Sequence, residues 1–280
     1  MLRKIKKILN AKPTVEGAGV RLKRVFGNPE MPLFDPFLLM DDFHSDTPED
    51  YMAGFPMHPH RGIETITYMI HGAVTHRDSM GNEGTIHSGD IQWMTAGSGV
   101  IHEEMPQKSA SELWGFQLWA NLPAAQKMMP PRYQDVPAKK VPSVFPQEGV
   151  EIKVICGEVN GVKGPVREII TEPEYLDIAI QPRTVFKYAV RPGDTVFAYV
   201  MAGEAVFGDG ASSAVGQEHA VLFEDGDTLH IATNEASVRF LLVSGKPIGE
   251  PVAWYGPIVM NTDAEIKTAL KEYQSGTFLK

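Results

Sequence analysis

A chain of 280 residues with 43% apolar side chains carries enough hydrophobic material for one large or two ordinary domains, which excludes a disordered protein. Its formal net charge of −9, without a long basic run, argues against holding DNA or RNA by phosphate neutralisation, so no direct nucleic-acid partner is expected. A single cysteine, Cys156, cannot form an intramolecular bridge and fits a reducing, cytoplasmic compartment.

The opening segment, Met1 to Leu9, is basic, but lysines interrupt its apolar residues and no h-region follows, so an edge strand or loose arm is expected rather than a signal peptide. No run of about eighteen apolar residues occurs, so no membrane partner is expected. Seven of the nine histidines, His44, His58, His60, His71, His76, His87 and His102, lie in the first half. In Met57 to Glu64, His58 and His60 stand at i and i+2, which puts both imidazoles on one face of an extended chain, and Glu64 shares their parity. Such a pair alone fits surface histidines as well as ligands, and Pro59 between them weakens a regular strand.

Glu64 to Ile70 has strand composition, and Met80-Gly81-Asn82 reads as a hairpin turn. His71, His76 and His87 sit near such turns and are read as turn histidines; His44, after Asp41-Asp42-Phe43, is a turn histidine with a pocket role as the alternative. Gly97-Ser98-Gly99 lacks the spacing of a phosphate loop and the context of a nucleophile elbow, and is read as a bend before the next strand. There His102 pairs with Glu104 by the same period of two, while Glu103 turns away. Three imidazoles and a carboxylate, without thiolates, suit a single divalent transition metal, Fe(II), Mn, Ni, Cu, Co or Zn, with positions left for water, O2 or substrate.

Trp114 to Trp119 is a further strand, and the proline-rich stretch 122–145 is read as a connector, giving domains at 1–140 and 141–280. Strands at Val196 to Met201 and Val238 to Val243, with turns at Gly208-Asp209-Gly210 and Asp225-Gly226-Asp227, repeat the texture of the first half and suggest a duplicated β-fold. The fold class is therefore all-β, two antiparallel barrels. Thr262 with Glu265 forms a capping box, Ile266, Ala269, Leu270 and Tyr273 share a stripe, and Gly276 fits the stop of a short C-terminal helix.

Gly54-Phe55-Pro56-x-His58-Pro59-His60-Arg61-Gly62-x-Glu64-Thr65 and His102-x-Glu104-Met105-Pro106 resemble the pirin family, as do Leu118 to Pro123, Pro131-Arg132-Tyr133 and Gly256 to Thr262. The resemblance implies a double cupin with one metal, usually iron, in the N-terminal barrel and a C-terminal barrel without ligands. It selects His58, His60, His102 and Glu104 as ligands, where many cupins use the position of Glu64, and leaves Glu64 as a group near the metal but not on it. Thr95, where proline is common in cupins, and His102, two residues late, mark a pirin-like variant. It also implies an enzyme similar to quercetin 2,3-dioxygenases, opening a flavonol with O2, with Glu104 as the base on the 3-hydroxyl. The rival implication is an iron-dependent redox sensor that binds a transcription factor or metabolic enzyme; a purely structural metal is the third.

Overall fold

The structure is a computed structural model that describes residues 1–30, 33–208 and 213–280. The chain forms two compact units, one made of residues 1–11, 32–36 and 139–247, the other of 12–31, 37–138 and 248–280. Both are antiparallel β structures, as the short β-branched segments between glycine and proline predict. The change of unit at 138/139 falls in the proline-rich connector, but each end of the chain belongs to the opposite unit, which a single division at residue 140 does not describe. No helix among the described residues is long and apolar enough to cross a membrane.

In the unit built mainly from the second half, strands Val150–Cys156, Glu174–Ile180, Thr195–Phe207, His219–Phe223 and Val238–Gly245 pair into one sheet. Their alternate residues, including Ile152, Leu176, Ile178, Val196, Val200 and Phe240, fill its interior with apolar side chains. Ile5–Asn10 lies at the edge of this sheet against His219–Phe223, and its exposed Lys6 and Lys7 suit a strand that must not recruit another chain. The turn expected at Gly208-Asp209-Gly210 lies partly outside the described residues.

The other unit places the site. Its seven-stranded sheet runs Arg132–Val136, Ile91–Thr95, Ile63–His71, Leu113–Asn121, Phe37–Ser45, Val20–Phe26 and Lys12–Glu16 in spatial order. Its four-stranded sheet runs Phe55–His60, Val100–Pro106, Ala73–Asp78 and Glu83–His87. The hairpin at Met80-Gly81-Asn82 forms as expected: Asp78 accepts from the backbone N–H groups of Met80 (2.8 Å) and Asn82 (2.9 Å).

The C-terminal helix spans Asp263–Gln274, capped by Thr262, whose hydroxyl accepts from the Glu265 N–H at 3.3 Å, and followed by Gly276 at φ 73°. It packs on the first-half unit, because the stripe of Ile266, Ala269 and Leu270 meets Ala253, Ile258, Met260, Phe278 and Ile101. The sequence division assigned it to the second domain; its apolar stripe finds its complement elsewhere.

Lys127 is 1% exposed in this unit and donates to the carbonyls of Gly62 (2.9 Å) and Val259 (3.1 Å) and to Asn121 Oδ1 (2.6 Å). Burial pushes its pKa down to about 8. With the folded value below the unfolded one, the unfolded chain binds more protons between about pH 8 and 10.5, so this group makes stability rise with pH across that window. Urea unfolding should show wild type gaining about 3 kcal/mol relative to Lys127→Met from pH 8 to 10.5; parallel pH profiles contradict this assignment.

Candidate metal centre

The period of two holds locally in both ligand segments. His58 and His60 lie on Phe55–His60, His102 and Glu104 on Val100–Pro106, and the strands pair with His102 opposite His58 and Val100 opposite His60. The imidazoles therefore converge from adjacent strands, each offering a ring nitrogen within 4.8 Å of the others. His58 and His102 have ring centroids 4.5 Å apart, and His60 and His102 5.0 Å. His60 and His102 are each 1% exposed, while His58 is half-buried.

The donor set fits a metal ion. His58 Nδ1 faces the Pro56 carbonyl at 2.9 Å and so carries the ring hydrogen, leaving the Nε2 lone pair for another partner. That Nε2 lies 3.0 Å from His60 Nε2, and both ring nitrogens of His102 are buried without a hydrogen-bond partner. Unpartnered buried nitrogens are costly, and a cation among them removes the cost. Burial lowers the pKa of all three rings, most for His60 and His102, where neighbouring imidazoles add to it; the neutral rings are the form that binds metal.

Glu104 points to the same interior but stands outside the close histidine group. Its carboxylate lies 3.2 Å from the Thr67 hydroxyl and 3.4 Å from Gln117 Nε2, and Thr67 lies 2.6 Å from Gln117 Oε1. Burial pushes its pKa up to about 7, partly countered by Thr67. The role of Glu104 as a fourth ligand is taken up below as a proposal.

Glu64 is displaced from its expected place. The HxH strand ends at His60, Gly62 turns the chain at φ 77°, and Glu64 starts another strand in the other sheet, so parity does not carry across. A Cβ at Gly62 would sit 2.0 Å from the Val259 carbonyl oxygen, so only glycine fits this turn. Thr67 reaches Glu104 and the alternate Glu64 faces the opposite side of the sheet, where Thr95 donates to it at 2.6 Å. It is thus a support of the sheet and does not face the histidines.

His76, read as a turn residue, is buried and lies on a strand directly opposite Glu104, with Asp78 opposite His102. The signal was present: His76 and Asp78 are spaced i, i+2 like the ligand pairs. His71 and His87 are exposed. His44 stacks on Trp114 (centroids 4.5 Å apart) and bonds Glu112 at 2.8 Å, away from the triad.

One further side chain joins these strands to the chain end. Arg61, 2% exposed, donates to the carbonyls of Ser98 (2.7 Å) and Phe278 (2.6 Å) and to Glu272 (2.6 Å), and its guanidinium lies 4.1 Å from the Phe278 ring centroid. The Gly62 N–H donates to the Gly97 carbonyl at 2.8 Å, tying the turn after His60 to the bend before His102. Sequence reasoning gave Arg61 no role, because its partners lie far along the chain.

A cavity of about 650 Å³ opens beside the triad, with His58, His60 and Glu104 in its wall and Leu39, Phe43, Phe55, Leu113, Trp119 and Trp254 among its apolar lining. Trp119 meets His60 edge-on at 5.2 Å. Such a chamber, apolar with a few convergent polar groups, suits a small organic ligand.

Comparison with known proteins agrees with this construction. Residues 19–120 match the Pirin family model and 175–279 the Pirin C-terminal cupin domain. A Pirin-like protein of Caulobacter vibrioides is 42% identical, covering 99% of both chains. Pirin-1 of Arabidopsis thaliana is 42% identical over 97% of this chain and 92% of its own. The crystal structure of a quercetin 2,3-dioxygenase from Acinetobacter baumannii is 32% identical and superposes with a TM-score of 0.91 over 99% of each chain. With its two barrels, its converging histidines and this likeness over its whole length, the chain belongs to the pirin family and has the double-cupin fold.

Proposed function

We propose that this protein is a metal-dependent dioxygenase that opens the central ring of a flavonol such as quercetin with O2. The observation that carries the reading is the junction of three neutral, largely unpartnered imidazoles with an apolar cavity that also holds a buried carboxylate. His58, His60 and His102 would hold the ion, with Glu104 as a further ligand on the same strand, and the mixed nitrogen and oxygen donors suit Fe(II). When bound, such an ion supplies a Lewis acid for a coordinated hydroxyl and a redox centre for O2.

The chain's own residues do the rest. Glu104, a buried carboxylate in the cavity wall, takes the proton of the flavonol 3-hydroxyl, since a carboxylate within hydrogen-bond reach is a suitable base. Thr67 and Gln117 hold the carboxylate in position. Trp119, Trp254 and Phe55, in the cavity wall, pack against the aromatic rings and keep water from the electron-rich substrate anion. The likeness to the Acinetobacter baumannii enzyme supports the substrate class.

Glu104→Gln keeps the shape and removes the base. Iron-reconstituted variant should consume quercetin at least about 100-fold more slowly than wild type at equal metal content. Equal turnover at equal metal content removes Glu104 from the reaction.

A further inference from the structure

The cavity wall is not uniformly apolar. Cross-strand pairing on the seven-stranded sheet aligns Arg24 with Asp41, Asp41 with Gln117, Gln117 with Thr67, Thr67 with Gln92, and Gln92 with Asp135. Directly paired residues share a face, so these six side chains form one polar row. Leu39 and Trp119 pair on one side of the row, and Phe43, Gly115 and Met69 align on the other. The middle of the row, Thr67 and Gln117, meets Glu104.

The outer end of the row is a charged cluster in the cavity wall. Arg24 grips Asp41 through Nε and Nη2, both at 2.8 Å, and reaches Glu16 through Nη1 at 2.9 Å. Asp41 is 6% exposed, and all three residues line the cavity. A buried ion pair adds little stability over apolar side chains of the same size, so the fold alone gives no reason for it. Two carboxylates against one guanidinium leave the cavity lining here with a surplus negative charge, since Lys12, cross-strand from Arg24, is exposed and outside the lining. Each Asp41 oxygen can accept a further hydrogen bond, and these contacts engage three of the five Arg24 N–H groups. Such a cluster exchanges hydrogen bonds with a neutral hydroxyl and repels an anion.

Spacing sets what could reach both ends. Asp41 lies two strands from Thr67 in the row, roughly 10 Å at the usual strand separation. We infer that Asp41, held by Arg24 and flanked by Glu16, is a specificity subsite that binds a phenolic hydroxyl on the distal ring of a planar aromatic substrate and rejects substrates with an anionic group there. This rests on the aromatic-substrate reading of the cavity given above.

Anaerobic titrations followed by tryptophan fluorescence test it without turnover. The probes are quercetin, galangin, which has the flavonol core without distal-ring hydroxyls, and quercetin sulfated on that ring. Wild type should bind quercetin about 10-fold or more tightly than galangin, the usual gain of a hydrogen bond to a charged group, and the sulfated compound more weakly than galangin. Asp41→Asn should reduce the quercetin-to-galangin ratio to under about 3-fold and relieve the penalty on the sulfate, with galangin affinity unchanged. Glu16→Gln, at the exposed rim, relieves the sulfate penalty without touching the Arg24–Asp41 pair, so the test stands even where Asp41→Asn fails to fold. Equal binding of quercetin and galangin by wild type, or a ratio that survives in Asp41→Asn, overturns the subsite while leaving the flavonol reading intact. Wild type that binds none of the three overturns both.

Discussion

His102→Ala should lose stoichiometric metal binding. His102 is the histidine that the second strand brings to the triad, it is 1% exposed, and neither of its ring nitrogens has another partner. Its loss leaves two imidazoles from one short strand, with Glu104 standing outside the close histidine group. Removing a supporting residue around a metal commonly costs 10–100-fold in affinity, so removing the ligand itself should cost more than about 100-fold. Elemental analysis after dialysis should find about one equivalent of metal in wild type and near none in the variant. Added Fe(II) under argon should raise the melting temperature of wild type alone, since a ligand stabilises only a fold that binds it. His44→Ala, away from the triad, should match wild type in both measurements. Full occupancy in His102→Ala would place the metal elsewhere.

Arg61→Ala should destabilise the protein by about 2–4 kcal/mol, since it leaves the buried Ser98 and Phe278 carbonyls without their donor. Its guanidinium joins the turn after His60 to the Ser98 carbonyl before His102, to Glu272 on the C-terminal helix, and to the Phe278 carbonyl. Deletion leaves the two buried carbonyls without their donor, while the partly exposed Glu272 keeps Lys280 at 2.6 Å. Because both ligand segments hang on this group, the variant should also bind metal about 10–100-fold more weakly at temperatures where it is folded. Arg61→Lys keeps the charge but not the planar fork, so it should recover only part of either loss. Glu272→Gln, which keeps the other three contacts, should fall between Arg61→Ala and wild type. Urea unfolding and metal titration measure the two effects. Loss of stability without loss of metal affinity would separate the clamp from the site.

The sequence carried the histidine triad plainly because its logic is local. In an extended strand, i and i+2 share a face, and His58 with His60 and His102 with Glu104 each obey that rule within one strand. The same rule failed for Glu64 because Gly62 turns the chain and the next residues enter another sheet, so parity restarted there. His76 is close to a turn in sequence, yet that turn is built by Asp78, its own i+2 neighbour. All-β architecture and the capped final helix were legible from composition and end signals. Where that helix packs was not, since its apolar stripe names no partner, and the exchange of chain ends between the units leaves no local mark. The polar row from Arg24 to Asp135 was invisible for a related reason: it exists only in cross-strand register, between residues that local periodicity cannot relate.

The central claim is that the triad and cavity together run a reaction with O2. Its most direct test records O2 uptake and quercetin loss together, on protein carrying one equivalent of iron and on His58→Ala treated identically. The account predicts equimolar consumption of O2 and quercetin by wild type, and neither by His58→Ala. Stoichiometric iron in wild type without O2 uptake, or equal turnover by His58→Ala, would contradict it.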